Sequence, residues 1–251
     1  MKPSVTKVLT HRLFVNGPKE REVYQWRVEN GHSAHIRPYS TLVAAMGDHW
    51  HPGCREAVEA MVQYSADQGQ AVGFYEERDR CFRPYDAMGV MRNAAYMRAI
   101  ADGYEFILYV DNDVLPPKDA LHSLSQRFAP IINPIVLYAD GENHGLLMPQ
   151  LPRGQGLVLV TSCVLSFLLV KTAVFLPWAT VPFWQDAIGA DDQYHFMRFG
   201  MAGHLPFVDT DVTVTCVSPP HYPLDAMLDK RKVADLESWR GGNVIYDGVW
   251  L

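Results

Sequence analysis

The chain lacks any pair of cysteines spaced for a metal or redox motif. Cys54, Cys81, Cys163 and Cys216 are scattered along 251 residues, which excludes a C-x-x-C centre and a small disulfide framework and suits free thiols in a reducing, cytoplasmic compartment. It also lacks an excess of positive charge. Lys and Arg number 22 against 28 Asp and Glu, for a formal charge of -6 and a pI near 5.9. There is thus no basic footprint for a phosphate backbone, which argues against nucleic acid as the main partner and leaves a small charged ligand open. No apolar run is long enough to span a membrane. The longest, "LVLVTSCVLSFLLV" at 157–170, contains Thr and Ser, stops at Lys171 and falls short of the ~20 residues required. Its β-branched content reads as buried strand. The opening "MKPSVTKVLTHRLFVNG" has no apolar h-region, so a secretory signal is not expected. Internal repeats, low-complexity tracts and charge blocks are missing as well.

What is present is core-forming material: 48% of the residues are hydrophobic, enough for one full domain with a small appendage. Residues 1–38 read as an N-terminal extension, in which "HRLFVNG" and "REVYQWRVENG" form a β hairpin around Gly17-Pro18. From Tyr39 the order is clearer. "STLVAAMGD" predicts a strand, "HPGCREAVEAMVQYSADQG" a helix with Val58, Met61 and Val62 at helical spacing, and "QAVGFYEERD" a second strand. "DAMGVMRNAAYMRAIADG" predicts a second helix with Ala94, Met97 and Ala101 on one face and Gly103 as its stop. "FILYVDNDVLPP" at 106–117 is the third strand, and Pro116-Pro117 opens a helix carrying a stripe of Leu121, Leu124 and Phe128. Strands follow at "PIVLYAD", "GLVLVTSCVLSFLLVKTAVF" and "HLPFVDTDVTVTCV", with a helix at "DDQYHFMRFGMAG" and a helical, aromatic-rich tail from 223 to 251. The expected class is therefore α/β, a mixed and mostly parallel sheet flanked by helices. In such sheets ligands gather at the carboxyl ends of the strands, and Asp111 and Asp113 fall there. Two carboxylates one residue apart repel each other, so a positive group is expected between or near them.

Two blocks in order, "MRNAAYMRAIADGYEFILYVDNDV" and "GADDQYHFMRFGMAGHLPFVDTDVTV", resemble the GT-A class of nucleotide-sugar glycosyltransferases, particularly the family 2 type. Arg92-Asn93 stands where those enzymes carry an Arg-Asn pair on the helix before the metal strand, Asp111-Asn112-Asp113 matches their D-x-D, and Asp191-Asp192 matches the acidic pair that opens a later helix ending in Arg-x-x-x-Gly. The likeness covers roughly residues 40–222. It implies a GT-A-type Rossmann-like sandwich with a nucleotide-binding half at 39–115 and an acceptor half at 116–222. It further implies metal-dependent, inverting transfer of a sugar from a UDP- or GDP-type donor to an acceptor hydroxyl, with Mn²⁺ or Mg²⁺. The acceptor is left open among glycan, protein and small molecule.

In that frame Asp113 ligates the metal, Asp111 contacts the ribose or a metal-bound water, and Arg92 braces a carboxylate or phosphate. Asp192 is the general base that takes the acceptor proton, and Asp191 orients the acceptor. Related enzymes often add a histidine to the metal after the next strand. Here Cys216 occupies the expected place and His221 follows five residues later; His221 is preferred. Glu76, Glu77 and Asp79, or residues around Gly47-Asp48, receive the base or ribose. Each has an ordinary alternative: strand-terminating turn residues for Asp111 and Asp113, helix N-terminal charges for Asp191 and Asp192, a surface ion pair for Arg92.

"GDHWHPG" places His49 and His51 around Trp50, but without further ligands it reads as a loop with Trp50 near the nucleotide rather than a metal site. Trp178 and Trp184 are candidates for stacking on a sugar, or for the core. Lys230, Arg231 and Lys232 suggest a lid over the diphosphate, with a solvated helix face as the alternative. A nucleotidyltransferase would need an early Gly-rich phosphate loop with a basic residue, and "AAMGDHWHPG" supplies neither. A non-catalytic nucleotide-sugar-binding protein is opposed by the presence of Asp192 beside Asp191.

Overall fold

β1 (Arg37–Met46), α1 (Cys54–Asp67), β2 (Ala71–Glu77), α2 (Pro84–Asp102) and β3 (Tyr104–Asp111) follow one another with short connections. After them come β4 (Val114–Leu115), α3 (Ala120–Ser125), β5 (Ile131–Tyr138), β6 (Leu157–Leu159), β7 (Phe167–Lys171) and β8 (Phe207–Cys216). This is a computed structural model, and it describes residues 37–46, 50–77, 84–139, 141, 151, 153–160, 163–174 and 203–217, with the backbone alone at 77, 84–90 and 93. The hairpin expected within 1–36, the helix expected at 191–203 apart from its last residue, and the tail at 223–251 lie outside the described residues.

The strands form one mixed sheet in the order β2-β1-β3-β7-β5-β8-β4, with β6 on β8. β1 is parallel to both β2 and β3, and β5 is parallel to β8. Because β7 is antiparallel to both β3 and β5, strands β1, β2, β3, β5 and β8 all run one way, and β4, β6 and β7 run against them. The expected α/β class with a mixed, mostly parallel sheet is what the chain adopts. Met46 is level with Glu77 on one side and Asp111 on the other, so β1, β2 and β3 finish together at one edge. Pro134 lies within β5, where it cannot donate a ladder bond; the register with β8 shifts between Pro134 and Ile135, as a proline in a strand requires.

Both faces of the sheet are covered. One carries Met46, Tyr109, Leu168 and Val170 against Met91, Ala95, Tyr96 and Ile100 of α2. The other carries Val43, Leu108, Phe167 and Leu169 against Val58 and Met61 of α1 and Leu121 and Leu124 of α3. Central strands therefore read as continuous apolar runs. Ile107, Leu108 and Val110 are fully buried, each such burial stabilising by roughly 1.5–3 kcal/mol. Gly103 (φ 81) ends α2, its amide donating to the Ile100 carbonyl at 3.1 Å, the left-handed stop that glycine adopts without strain.

Local expectations need correction at three places. α2 buries Met91, Arg92, Ala95, Tyr96, Ala99 and Ile100; of the expected stripe, Ala94 and Met97 are only partly buried, with Met97 packed against the same core, and Ala101 is exposed. α3 is six residues long; Phe128 lies beyond it, 39% exposed and with φ 55, so it does not continue the stripe of Leu121 and Leu124. The apolar run at 157–170 divides between β6 and β7, and β4 is a short strand between the Asp pair and the prolines.

Candidate functional site

The turn after β3 is held from three sides. The Asp111 amide extends the ladder by donating to the Ser166 carbonyl at 2.8 Å. Next, the Asn112 amide donates to the Met46 carbonyl at 3.1 Å, and the Asn112 carbonyl accepts from the His51 amide at 3.0 Å. The Asp113 carbonyl accepts from the Val217 amide at 2.8 Å, and β4 continues from there along β8. The ends of β1 and β8 and the loop entering α1 thus converge on Asn112 and Asp113, at the carboxyl edge where ligands bind in sheets of this kind.

The two carboxylates have different partners. Arg92, buried on α2, brings Nη2 to 3.6 Å from Asp111 Oδ1, an ion pair in which the Asp111 side chain keeps 22% exposure. Cys216 donates its thiol to Asp113 Oδ2 at 3.3 Å. The positive charge expected beside the pair is therefore the Arg92 guanidinium, at Asp111. Arg92 is further fixed through its carbonyl, which accepts from Tyr109 Oη at 3.2 Å; burial holds the Tyr109 phenol well above its usual range, so that donor stays neutral. Cys54, fully buried in the first turn of α1, has its thiol pushed up to about 11, by burial first and then by the charges of Asp113 and Glu56. It is protonated at neutral pH and serves as neither nucleophile nor thiolate ligand.

Glu76, near the end of β2, accepts from Trp50 Nε1 at 2.9 Å and pairs with Arg55 Nη1 at 3.1 Å. Arg55 also pairs with Glu59 one turn along α1 at 2.8 Å. The indole is thereby oriented at the same edge as the Asp turn, while both contacts draw on the Glu76 carboxylate.

Among the described residues no three His, Cys, Asp or Glu side chains gather as a preformed cage for a metal ion. Asp111 and Asp113 offer carboxylate oxygens, the donor type that hard divalent cations take. Asp113, with Cys216 against it, is the side chain that fits.

Of the residues singled out in the sequence, Arg92, Asp111, Asp113, Cys216, Glu76 and Trp50 come to this edge. Asp48, His49, Asp79, Trp178, Trp184, Asp191, Asp192, His221, Lys230, Arg231 and Lys232 lie outside the described residues. The sequence reading missed Ser166, opposite Asp111 across the β3–β7 ladder, and Asn133, whose Nδ2 donates to the Val164 carbonyl at 2.8 Å and to that of Phe167. The available signal for Ser166 was a polar residue in the otherwise apolar stretch 163–170.

No family model matches the chain, and no curated protein matches it. Similar solved structures exist at low identity. The catalytic domain of Drosophila β1,4-galactosyltransferase 7 in complex with xylobiose is 15% identical with a TM-score of 0.48, the match covering 73% of each chain. GalNAc-T7 with UDP, GalNAc and Mn²⁺ is 8% identical with a TM-score of 0.47, covering 72% of this chain and 44% of that one. A197 from STIV is 15% identical with a TM-score of 0.42, covering 69% of this chain and 84% of that one. No helix among the described residues is long and apolar enough to cross a membrane.

Proposed function

We propose that the protein is a cytoplasmic, metal-dependent glycosyltransferase that moves a sugar from a nucleoside-diphosphate sugar to an acceptor hydroxyl with inversion. The observation that carries this reading is the Asp111–Asp113 turn. It is pinned by backbone hydrogen bonds at the carboxyl edge of the sheet, with one carboxylate on a buried guanidinium and the other beside the end of β8. Such rigidity is what a site needs if it is to meet developing charge without reorganising.

Asp113, with His221, would hold a Mg²⁺ or Mn²⁺ ion, which would supply positive charge for a departing diphosphate. Asp111 accepts a hydrogen bond from the ribose or from metal-bound water, and Arg92 holds its carboxylate in place. Trp50 presents its ring to the base, oriented by Glu76, and Asp48 contributes from the end of β1. Asp192 takes the proton from the attacking acceptor oxygen on a carboxylate oxygen, with Asp191 orienting that acceptor.

The test is a thermal-shift panel of UDP, GDP, CDP and their sugars, with Mn²⁺ present and absent, on wild type and Asp113→Ala. A nucleotide at about 100 times its dissociation constant stabilises by roughly 2.7 kcal/mol. The expected result is that one base stabilises the wild type only with Mn²⁺ and that Asp113→Ala loses the effect while remaining folded by circular dichroism. No stabilisation of the folded wild type by any member of the panel overturns the reading.

A further inference from the structure

The β3–β7 ladder is antiparallel, with Tyr109 opposite Leu168 and Val110 opposite Phe167. The hydrogen bond from the Asp111 amide to the Ser166 carbonyl carries it one step further. Residues directly opposite in such a ladder project from the same face of the sheet. Tyr109 and Leu168 lie on the α2 face, so by alternation the side chains of Asp111 and Ser166 emerge there too, roughly 5 Å apart at Cβ. Arg92 reaches Asp111 from that same helix.

Ser166 is 6% exposed, and its Oγ has no hydrogen-bond partner among the described residues. A buried hydroxyl left in this state is destabilising, so it calls for an explanation. Its freedom to relax is small. Asn133 holds the carbonyls on either side of it, at Val164 and Phe167, while Leu165 and Phe167 are buried in the core. The hydroxyl is fixed beside the Asp111 carboxylate by groups that have no other evident use for it.

We propose that Ser166 Oγ is a ligand-binding group that completes the Asp111 site by hydrogen bonding to a hydroxyl of the bound nucleotide sugar. The inference rests on the glycosyltransferase reading and deepens it. An ionised carboxylate only accepts hydrogen bonds, whereas a serine hydroxyl both donates and accepts. Asp111 and Ser166 side by side therefore suit neighbouring hydroxyls of one ring: the carboxylate takes one proton, and Ser166 donates to, or accepts from, the second oxygen. The ring is the ribose or the transferred sugar, which share this chemistry. A ligand lacking the hydroxyl leaves Ser166 unsatisfied, the kind of discrimination that a buried polar group supplies best.

The experiment titrates wild type and Ser166→Ala by calorimetry in Mn²⁺ with UDP, 2′-deoxy-UDP, 3′-deoxy-UDP and UDP-glucose, and with the guanosine counterparts, and measures the melting temperature of each protein without ligand. Ser166→Ala is expected to raise the ligand-free melting temperature by about 2–4 °C, because an unsatisfied hydroxyl is removed. It is also expected to weaken binding of the ligand bearing the partner hydroxyl about tenfold. The deoxy ligand that lacks the partner binds both proteins equally, closing a cycle that assigns the contact. Loss of discrimination among the deoxynucleoside diphosphates assigns it to the ribose; an effect on the sugar nucleotide alone assigns it to the transferred sugar. A lower melting temperature with all ligands weakened alike, or unchanged affinity for every ligand, overturns the proposal and leaves the nucleotide reading standing. Failure of wild type to bind any of them removes both.

Discussion

Cys54 is the residue on which the acidity of the site can be read without a ligand. Its thiol, fully buried at the start of α1, titrates at about 11 in place of 9.0 because burial, and then Asp113 and Glu56, oppose the thiolate. A folded value raised above the unfolded one means that the stabilisation is whole below pH 9 and is lost as pH climbs from about 9 to about 11. At about 1.36 kcal/mol per pH unit, the loss across that window is on the order of 2–3 kcal/mol. Urea denaturation at a series of alkaline pH values is expected to show this decline in the wild type and a flatter profile in Cys54→Ala, whatever the baseline cost of the cavity. Equal slopes would mean that neither burial nor the neighbouring charges raise the Cys54 thiol.

Among the elements, β2 depends on a glycine for a steric reason. A Cβ placed on Gly73 would lie 2.8 Å from Tyr104 Cζ and closer still to its Oη, and Tyr104 is buried with the Arg37 guanidinium 4.8 Å over its ring. Gly73→Ala is therefore expected to destabilise by about 1–3 kcal/mol, the usual cost of overpacking, in chemical denaturation. Adding Tyr104→Phe, which removes the oxygen, should recover part of the loss; additive losses would place the strain elsewhere. Elements of this kind also show what a sequence can carry. β1 and β3 were legible because a strand buried on both faces is an uninterrupted apolar run, and Gly103 was legible as a stop because few residues other than glycine take a left-handed turn readily. The inner face of α2 was not, since Arg92 and Tyr96 contribute to it and a search for small apolar residues passes over them. The end of α3 was misread because Phe128 is apolar at the right spacing yet stands in solvent. Asp111 and Asp113 announced themselves by position, whereas Ser166 needed the cross-strand register, which links residues far apart in the chain.

At the level of the whole molecule, the net charge of -6 sets the terms on which a diphosphate can bind. An acidic protein repels an anionic ligand, and on the proposed reading two carboxylates would stand beside the phosphates, with Arg92 already paired with one of them. Affinity for UDP or GDP should then depend on the cation more than on the protein's own charges. Chelation with EDTA is expected to weaken nucleotide binding at least tenfold, equivalent to about 1.4 kcal/mol, and added Mn²⁺ to restore it; calorimetry with and without chelator decides. Undiminished binding in EDTA would assign phosphate recognition to arginine and lysine side chains instead.

The contact between Asp113 and Cys216 joins residues 103 positions apart, and the Val217 amide closes the same turn. A ribosome releases the chain from its N-terminus, so Asp111 and Asp113 emerge well before the strand that holds them. β1, β2 and β3 can pair while β8 is still unmade. A nascent chain at that stage carries the acidic motif without the pinned turn, and whatever the turn is built to hold must wait for β8.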